Sequence, residues 1–277
     1  MIGAIAGDII GSVYEFDNIK TEDFKLFHPD ADITDDSIMT LAIAKAILES
    51  EDMNGDILED VFKTNCIRYM KFFGIIYPFP MGGYGARFSQ WLKSTTREPY
   101  DSYGNGAAMR VSACAWAAKT LEEAENLAEI SSSVTHNHPY GIAGARATAA
   151  AIKMALDGRS KEEIKDYIAE FYYPEIRDMN VEEIRKTYKF DGSCPGTVPQ
   201  ALTAFFESNG FEDAIRKGVS LGGDSDTLCA ITGSVAEAYY GVSIPMYASC
   251  RSYLPDDLLR ILKDFEGRYG AMINADS

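Results

Sequence analysis

The stretch Gly222-Gly223-Asp224-Ser225-Asp226-Thr227 constrains this chain more than any other. Two carboxylates two residues apart, with a hydroxyl after them, stand between a glycine pair and an apolar run. The run continues at helical spacing through Leu228, Ile231, Val235 and Tyr239, so the acids fall at or just before the first turn of a helix. An acid there can cap free N–H groups and meet the helix dipole. That explains one aspartate more readily than two. Upstream, Thr34-Asp35-Asp36-Ser37 opens a second apolar helix through Ile38, Leu41, Ala42, Ala46 and Leu48. Two hydroxyl-plus-diacid clusters at two helix starts point to one shared, oxygen-rich metal site. The competing reading is two separate N-caps.

The same periodicity recurs along the chain. Residues 2–14 read as a buried helix, with Gly3, Gly7 and Gly11 every four residues allowing close backbone approach. Further helices are expected near 56–73, around Trp91, at 107–118, 141–157, 181–189, 197–208, 211–220, 226–240, 245–253 and 256–268. Thr120 with Glu123, and Ser160 with Glu163, have capping-box spacing. Sustained two-residue alternation is missing, and no internal repeat or low-complexity linker divides the sequence. The expectation is one all-α domain over 1–277, with glycine-rich loops at one end.

Composition narrows the class. Of 277 residues, 46% are hydrophobic and 25% charged, as in ordinary globular proteins. The net charge of −16 leaves no basic stripe for general nucleic-acid or anionic-membrane binding. No apolar run reaches the ~18–20 residues of a membrane span. Met1 to Gly11 is apolar but carries Asp8 and lacks a basic leader, so it does not read as a signal peptide. The five cysteines form no CxxC or Cys/His pattern. They fit reduced, structural thiols in a cytoplasmic protein and argue against zinc. A monomer is expected, because no apolar stripe stands unassigned.

Bringing the clusters together with Glu15, which lies between Tyr14 and Phe16, would collect five negative charges: Glu15, Asp35, Asp36, Asp224 and Asp226. A like-charged pair ~4 Å apart repels by ~4 kcal/mol at an effective dielectric of ~20. Protonation or cations must neutralise such a cluster, and two divalent ions nearly would. With Thr34 and Thr227 adding hydroxyls, the donors are hard oxygens that favour Mg²⁺ or Mn²⁺.

Two glycine loops accompany the acids. Ser102-Tyr103-Gly104-Asn105-Gly106-Ala107-Ala108-Met109-Arg110 ends at a helix start, where free N–H groups favour phosphate. Gly82-Gly83-Tyr84-Gly85 offers an aromatic face suited to a base. Neither is a Walker or Rossmann motif, and each taken singly also reads as a plain turn. His136 and His138 sit in a turn, where a structural hydrogen bond is the ordinary role.

Taken together, these blocks resemble the ADP-ribosylglycohydrolase family over nearly the whole chain. The resemblance rests on Gly7-Asp8-Ile9-Ile10-Gly11 with Tyr14-Glu15-Phe16, Thr34 to Ser37, Ser102 to Arg110, Thr135-His136, and Gly222 to Thr227. It implies an all-α orthogonal bundle with a dinuclear Mg²⁺ or Mn²⁺ cleft. Thr34, Asp35, Asp36, Asp224, Asp226 and Thr227 would be the metal ligands, and Glu15, Asp35 and Asp36 the catalytic residues. The implied substrate contacts are Gly83, Tyr84 and Gly85 on the adenosine side, and Ser102, Tyr103, Gly104, Asn105, Gly106 and Met109 at the diphosphate and ribose. His136 would line the ribose end. Ser225 stands where many members have Thr or Ala.

The reaction implied is metal-dependent hydrolysis of the N- or O-glycosidic bond joining ADP-ribose to an acceptor, either a modified protein side chain or a small conjugate. An oxocarbenium-like state at the anomeric carbon is expected, as in other glycosidases. Two other readings stand beside it: a non-catalytic ADP-ribose-binding or scaffold relative, and a dinuclear-metal nucleotide phosphohydrolase. The acceptor itself is not written in these motifs.

Overall fold

The computed structural model describes residues 1–274, whose regular structure is almost entirely helical. In chain order the helices are α1 (Ile2–Gly11), α2 (Asp35–Leu48), α3 (Glu59–Ile76), α4 (Ala86–Lys93), α5 (Gly106–Met109), α6 (Ser112–Ala117), α7 (Leu121–Ser133) and α8 (Pro139–Leu156). There follow α9 (Lys161–Phe171), α10 (Val181–Thr187), α11 (Cys194–Phe206), α12 (Phe211–Leu221), α13 (Ser225–Tyr240), α14 (Ile244–Ser252) and α15 (Asp256–Tyr269). Among the described residues the strands are two-residue pieces, β1 (Val242–Ser243) paired in parallel with β2 (Ile273–Asn274). The fold is all-α, as the periodicity predicts.

Helix α1 is buried on every side, so it forms the centre of the molecule rather than a surface layer. Its neighbour is α13. A methyl group added at Gly3, Gly7 or Gly11 would overlap the carbonyl oxygen of Gly233, Cys229 or Ser225 in turn. Each step of four along α1 meets a step of four back along α13, so the two helices lie antiparallel with their backbones in contact. Glycine permits that approach because it has no Cβ. The C-terminal end of α1 therefore meets the N-terminal end of α13, and Asp8 is carried to Asp226. Around this pair, α2 packs on α1, α3, α6 and α15, while α8 packs on α7, α11 and α13. Ile5, Ile9 and Ile10 of α1 are fully buried, each stabilising by about 2 kcal/mol. The buried apolar side chains form one connected core.

Several expected boundaries move. The first helix ends at Gly11 and tightens into a 3-10 turn over Ser12–Tyr14. The helix expected at 56–73 runs Glu59–Ile76 instead: Ile57 pairs with Glu51 in an extended bridge, and nothing breaks the helix before Tyr77-Pro78. The expected 107–118 helix is split at Arg110 and Val111, whose ψ angles near zero interrupt it. The 197–208 helix starts earlier, at Cys194, because the Ser193 hydroxyl caps it. At Ser160 the full capping box forms. At Thr120 only half does, since the Glu123 carboxylate accepts from the Lys119 N–H instead.

The five cysteines are buried and unpaired. Among the described residues no helix is long and apolar enough to cross a membrane. One premise of the monomer expectation does not hold: α3 leaves Phe72, Ile75 and Ile76 exposed, with Phe79 just beyond.

Candidate active site

The N-terminal ends of α2 and α13 converge on one cleft of about 500 Å³. Glu15, Asp35, Asp36, Asp224, Asp226 and Thr227 line it together with Gly83, Tyr84, Gly85, Ser102, Gly104, Asn105, Gly106, Met109 and His136. The two acid clusters, 188 to 191 residues apart in sequence, are thus neighbours: the Thr227 hydroxyl lies 3.3 Å from Asp36 Oδ2.

Capping does not consume these acids. Helix α2 is capped by the Thr34 hydroxyl, which accepts from the Asp36 N–H at 3.2 Å. Asp224 stands at the N-cap position of α13 yet makes no capping bond. Its Oδ2 accepts from Asn105 Nδ2 at 2.7 Å. Asp36 Oδ1 and Asp226 Oδ1 are buried with no hydrogen-bond partner among the described residues. A buried charged oxygen without a donor is costly, and this pattern fits a cation far better than a helix cap.

The structure adds Asp8, which sequence reasoning quoted in a motif but gave no role. It is fully buried. Its Oδ2 accepts from the N–H groups of Thr34 at 3.0 Å and Ser37 at 3.1 Å, and its Oδ1 from the Thr34 hydroxyl at 2.6 Å. Asp8, Asp36 and Asp226 each bring an oxygen within 4.8 Å of the others, and so do Glu15, Asp224 and Asp226. The signal was present: Asp8 is the one charge in an apolar helix, and a lone carboxylate there needs a reason.

Electrostatics bear out the crowding. Burial, then Asp8 and other acids, holds Asp35 and Asp36 well above the usual carboxylate range. Burial, then Asp224 and Asp36, does the same to Asp226. Asp8 rises to about 6, because burial outweighs its hydrogen bonds to Ser37 and Thr34. Glu15, half-buried, rises to about 7 through burial and the nearby Asp224 and Asp8. These shifts describe the protein without cations; divalent ions would reverse them.

Two expected contact residues stand outside the lining. Thr34 lies behind it, holding Asp8 in place. Tyr103 is at the rim, half-exposed, with its ring centroid 5.1 Å from that of His138. The loop 82–85, expected on the adenosine side, borders the acids at one end: Gly82 sits at φ 73° with the Glu15 carboxylate packed where its Cβ would be. Tyr84 is raised above its ordinary pKa by burial and by Asp35. His136 is buried, its Nε2 facing Gly104 and Gly106. The lining also includes Phe16 and Arg110, which the motifs contain without giving them a role, and Tyr100 and Phe190, which lie outside them.

An all-α protein with a carboxylate-rich cleft at converging helix starts is the class that these observations define. The model of the ADP-ribosylglycohydrolase family matches residues 1–272, and the chain belongs to that family. It is 25% identical to the ADP-ribosylhydrolase ARH3 of Homo sapiens over 94% of this chain and 90% of the relative. Against the ADP-ribosylarginine hydrolase Tri1 of Serratia proteamaculans identity is 23%, over 88% of this chain and 71% of that one. A solved "ADP-ribosylglycohydrolase-related protein complex" shares the fold with a TM-score of 0.63 at 22% identity, covering 96% of this chain and 92% of that chain.

Proposed function

We propose that this chain is a divalent-cation-dependent hydrolase that cleaves the glycosidic bond between ADP-ribose and an acceptor, releasing ADP-ribose. The observation that carries the reading is the pair of partnerless buried oxygens, Asp36 Oδ1 and Asp226 Oδ1, inside a set of acids close enough to share ions. Family membership supports the ADP-ribose half of the substrate. In this reading Asp35, Asp36, Asp224, Asp226 and Thr227, with Asp8, hold two Mg²⁺ or Mn²⁺ ions, and Thr34 orients Asp8. Bound there, the ions neutralise the acids and lower the pKa of water toward neutrality.

The remaining roles fall to side chains. Glu15, half-buried at the edge of the acids, is the group placed to exchange a proton with the departing acceptor atom. Asn105 fixes Asp224. The loop from Ser102 to Gly106, with Met109 and His136, borders the space for diphosphate and ribose. Tyr84 and Tyr100 supply the aromatic walls beside it.

The names of the relatives include both ADP-ribosylhydrolase and ADP-ribosylarginine hydrolase, so arginine-linked and hydroxyl-linked conjugates belong in one panel. Defined ADP-ribosylated substrates assayed with Mg²⁺, with Mn²⁺ and with chelator test the proposal. Intact ADP-ribose released only in the presence of the cations is the expected result. AMP or phosphate as product would replace the reading with a phosphohydrolase, and activity unaffected by chelator would remove the metal role.

A further inference from the structure

We infer that Arg110 and Thr135 are positioning residues that hold His136 in the tautomer protonated at Nε2, making it a neutral N–H donor into the cleft. Arg110 is 1% exposed. Beside burial, the largest influences on its charge come from Tyr100, Cys66, Cys114 and Cys194, none of them a carboxylate. A buried guanidinium without a counter-charge is expensive, so its hydrogen bonds call for a purpose. Its Nη2 donates to the Ser131 carbonyl at 3.2 Å and to the Thr135 hydroxyl oxygen at 2.8 Å.

A guanidinium only donates, so Thr135 Oγ1 is an acceptor in that bond. The proton of the hydroxyl then has two acceptors in reach, His136 Nδ1 at 2.7 Å and the Ser132 carbonyl at 3.5 Å. The Ser132 oxygen already takes the N–H groups of Thr135 and His136, at 3.1 and 2.7 Å. Distance decides for Nδ1, and the cation on the far side polarises the hydroxyl in the same direction. With Nδ1 accepting, a neutral imidazole carries its proton on Nε2. Burial opposes the doubly protonated ring, as do Arg110 and Arg87, and together they push its pKa well below the ordinary value. Nε2 opens between Gly104 and Gly106, where even a methyl group at either would come to 3.4 Å.

The consequence concerns recognition, and for its ligand it rests on the ADP-ribose reading above. A neutral donor can bind a ribose hydroxyl or phosphate oxygen without adding positive charge beside the acids. The oxygen it binds must accept, whereas one that meets a bare carboxylate must donate.

Long-range ¹H–¹⁵N correlation spectra of the full-length protein at neutral pH read the tautomer directly. The expected pattern is Nε2 protonated and Nδ1 bare in wild type, retained in Thr135→Ser and lost to a mixture in Thr135→Val. Protonation at Nδ1, or at both nitrogens, in wild type overturns the inference and needs no variant to fold. Calorimetric titration with ADP-ribose supplies the second readout. Thr135→Val should bind about tenfold more weakly, as for one lost hydrogen bond, and Thr135→Ser should recover most of that loss. Equal weakening by valine and serine also overturns the relay. Failure of wild type to bind ADP-ribose would instead refute the assignment of the cleft, while the spectra still decide the tautomer.

Discussion

Replacing Asp8 by asparagine separates a metal ligand from a structural hydrogen-bonding group. Burial lifts the Asp8 carboxyl from an ordinary 3.8 to about 6. The folded protein therefore binds a proton that the unfolded chain has released, and ionised Asp8 opposes folding. That penalty is complete above about pH 6, shrinks as pH falls toward 3.8, and vanishes below it. That difference corresponds to about 3 kcal/mol. Asparagine pays none of it. Its carbonyl can keep the two bonds from the Thr34 and Ser37 N–H groups, but its NH₂ faces a Thr34 hydroxyl that now has to accept. The mismatch costs about 1 kcal/mol.

In chelator at pH 8, Asp8→Asn is thus expected to be the more stable protein by about 2 kcal/mol, or about 4–8 °C in Tm. The gap should narrow as pH drops from 6 toward 4. With millimolar Mg²⁺ the order of response inverts: wild type gains stability by mass action, while the variant, short of one ligand, gains much less. Differential scanning fluorimetry over pH 4–8, with and without Mg²⁺, measures both effects. A variant less stable than wild type in chelator at pH 8 would show that Asp8 is held for its hydrogen bonds alone. Equal Mg²⁺ shifts in the two proteins would remove it from the cation site.

Other outcomes follow from the same geometry. Asp226→Ala should abolish turnover while circular dichroism shows the helices intact, and near-normal activity would refute its role as a ligand. Glu15→Gln is expected to lower kcat far more than affinity for ADP-ribose, because the side chain is assigned to proton transfer; unchanged kinetics would make it structural. Gly7→Ala forces a methyl group into the Cys229 carbonyl and should cost more than about 2 kcal/mol as overpacking between α1 and α13, read as a lowered denaturation midpoint.

Much of this architecture is legible in the sequence because its local and global signals agree. The apolar periodicity gives the helices, and glycine at every fourth position of α1 announces a backbone contact. Two diacid clusters at helix starts announce a shared site. The failures have physical causes as well. Nothing local reports that Ile57 pairs with Glu51, so apolar spacing alone starts α3 too early. The break at Arg110 has no proline or glycine to mark it; the arginine turns inward to Ser131 and Thr135, residues that are remote in sequence. Asp8 looked like a motif letter because its partners, Thr34 and Ser37, are contributed by another helix. The exposure of Phe72, Ile75 and Ile76 is not legible because helical spacing alone does not say which face is covered.

The proposed division of labour among the acids follows from what carries each one. Asp8 is anchored in α1 by the backbone contact with α13, and Asp36 and Asp226 sit in the first turns of α2 and α13. Rigid helix ends fix their oxygens, so the protein sustains their repulsion when cations are removed, and the helix dipoles offset part of it. Glu15 is placed differently. It follows a 3-10 turn, keeps a longer side chain, remains half-buried, and packs against Gly82, where a bare Cα leaves it room. A ligand gains from immobility, whereas a proton carrier has to reach the leaving atom and return. Proton transfer is accordingly proposed for Glu15, and a side chain at Gly82 is expected to displace its carboxylate.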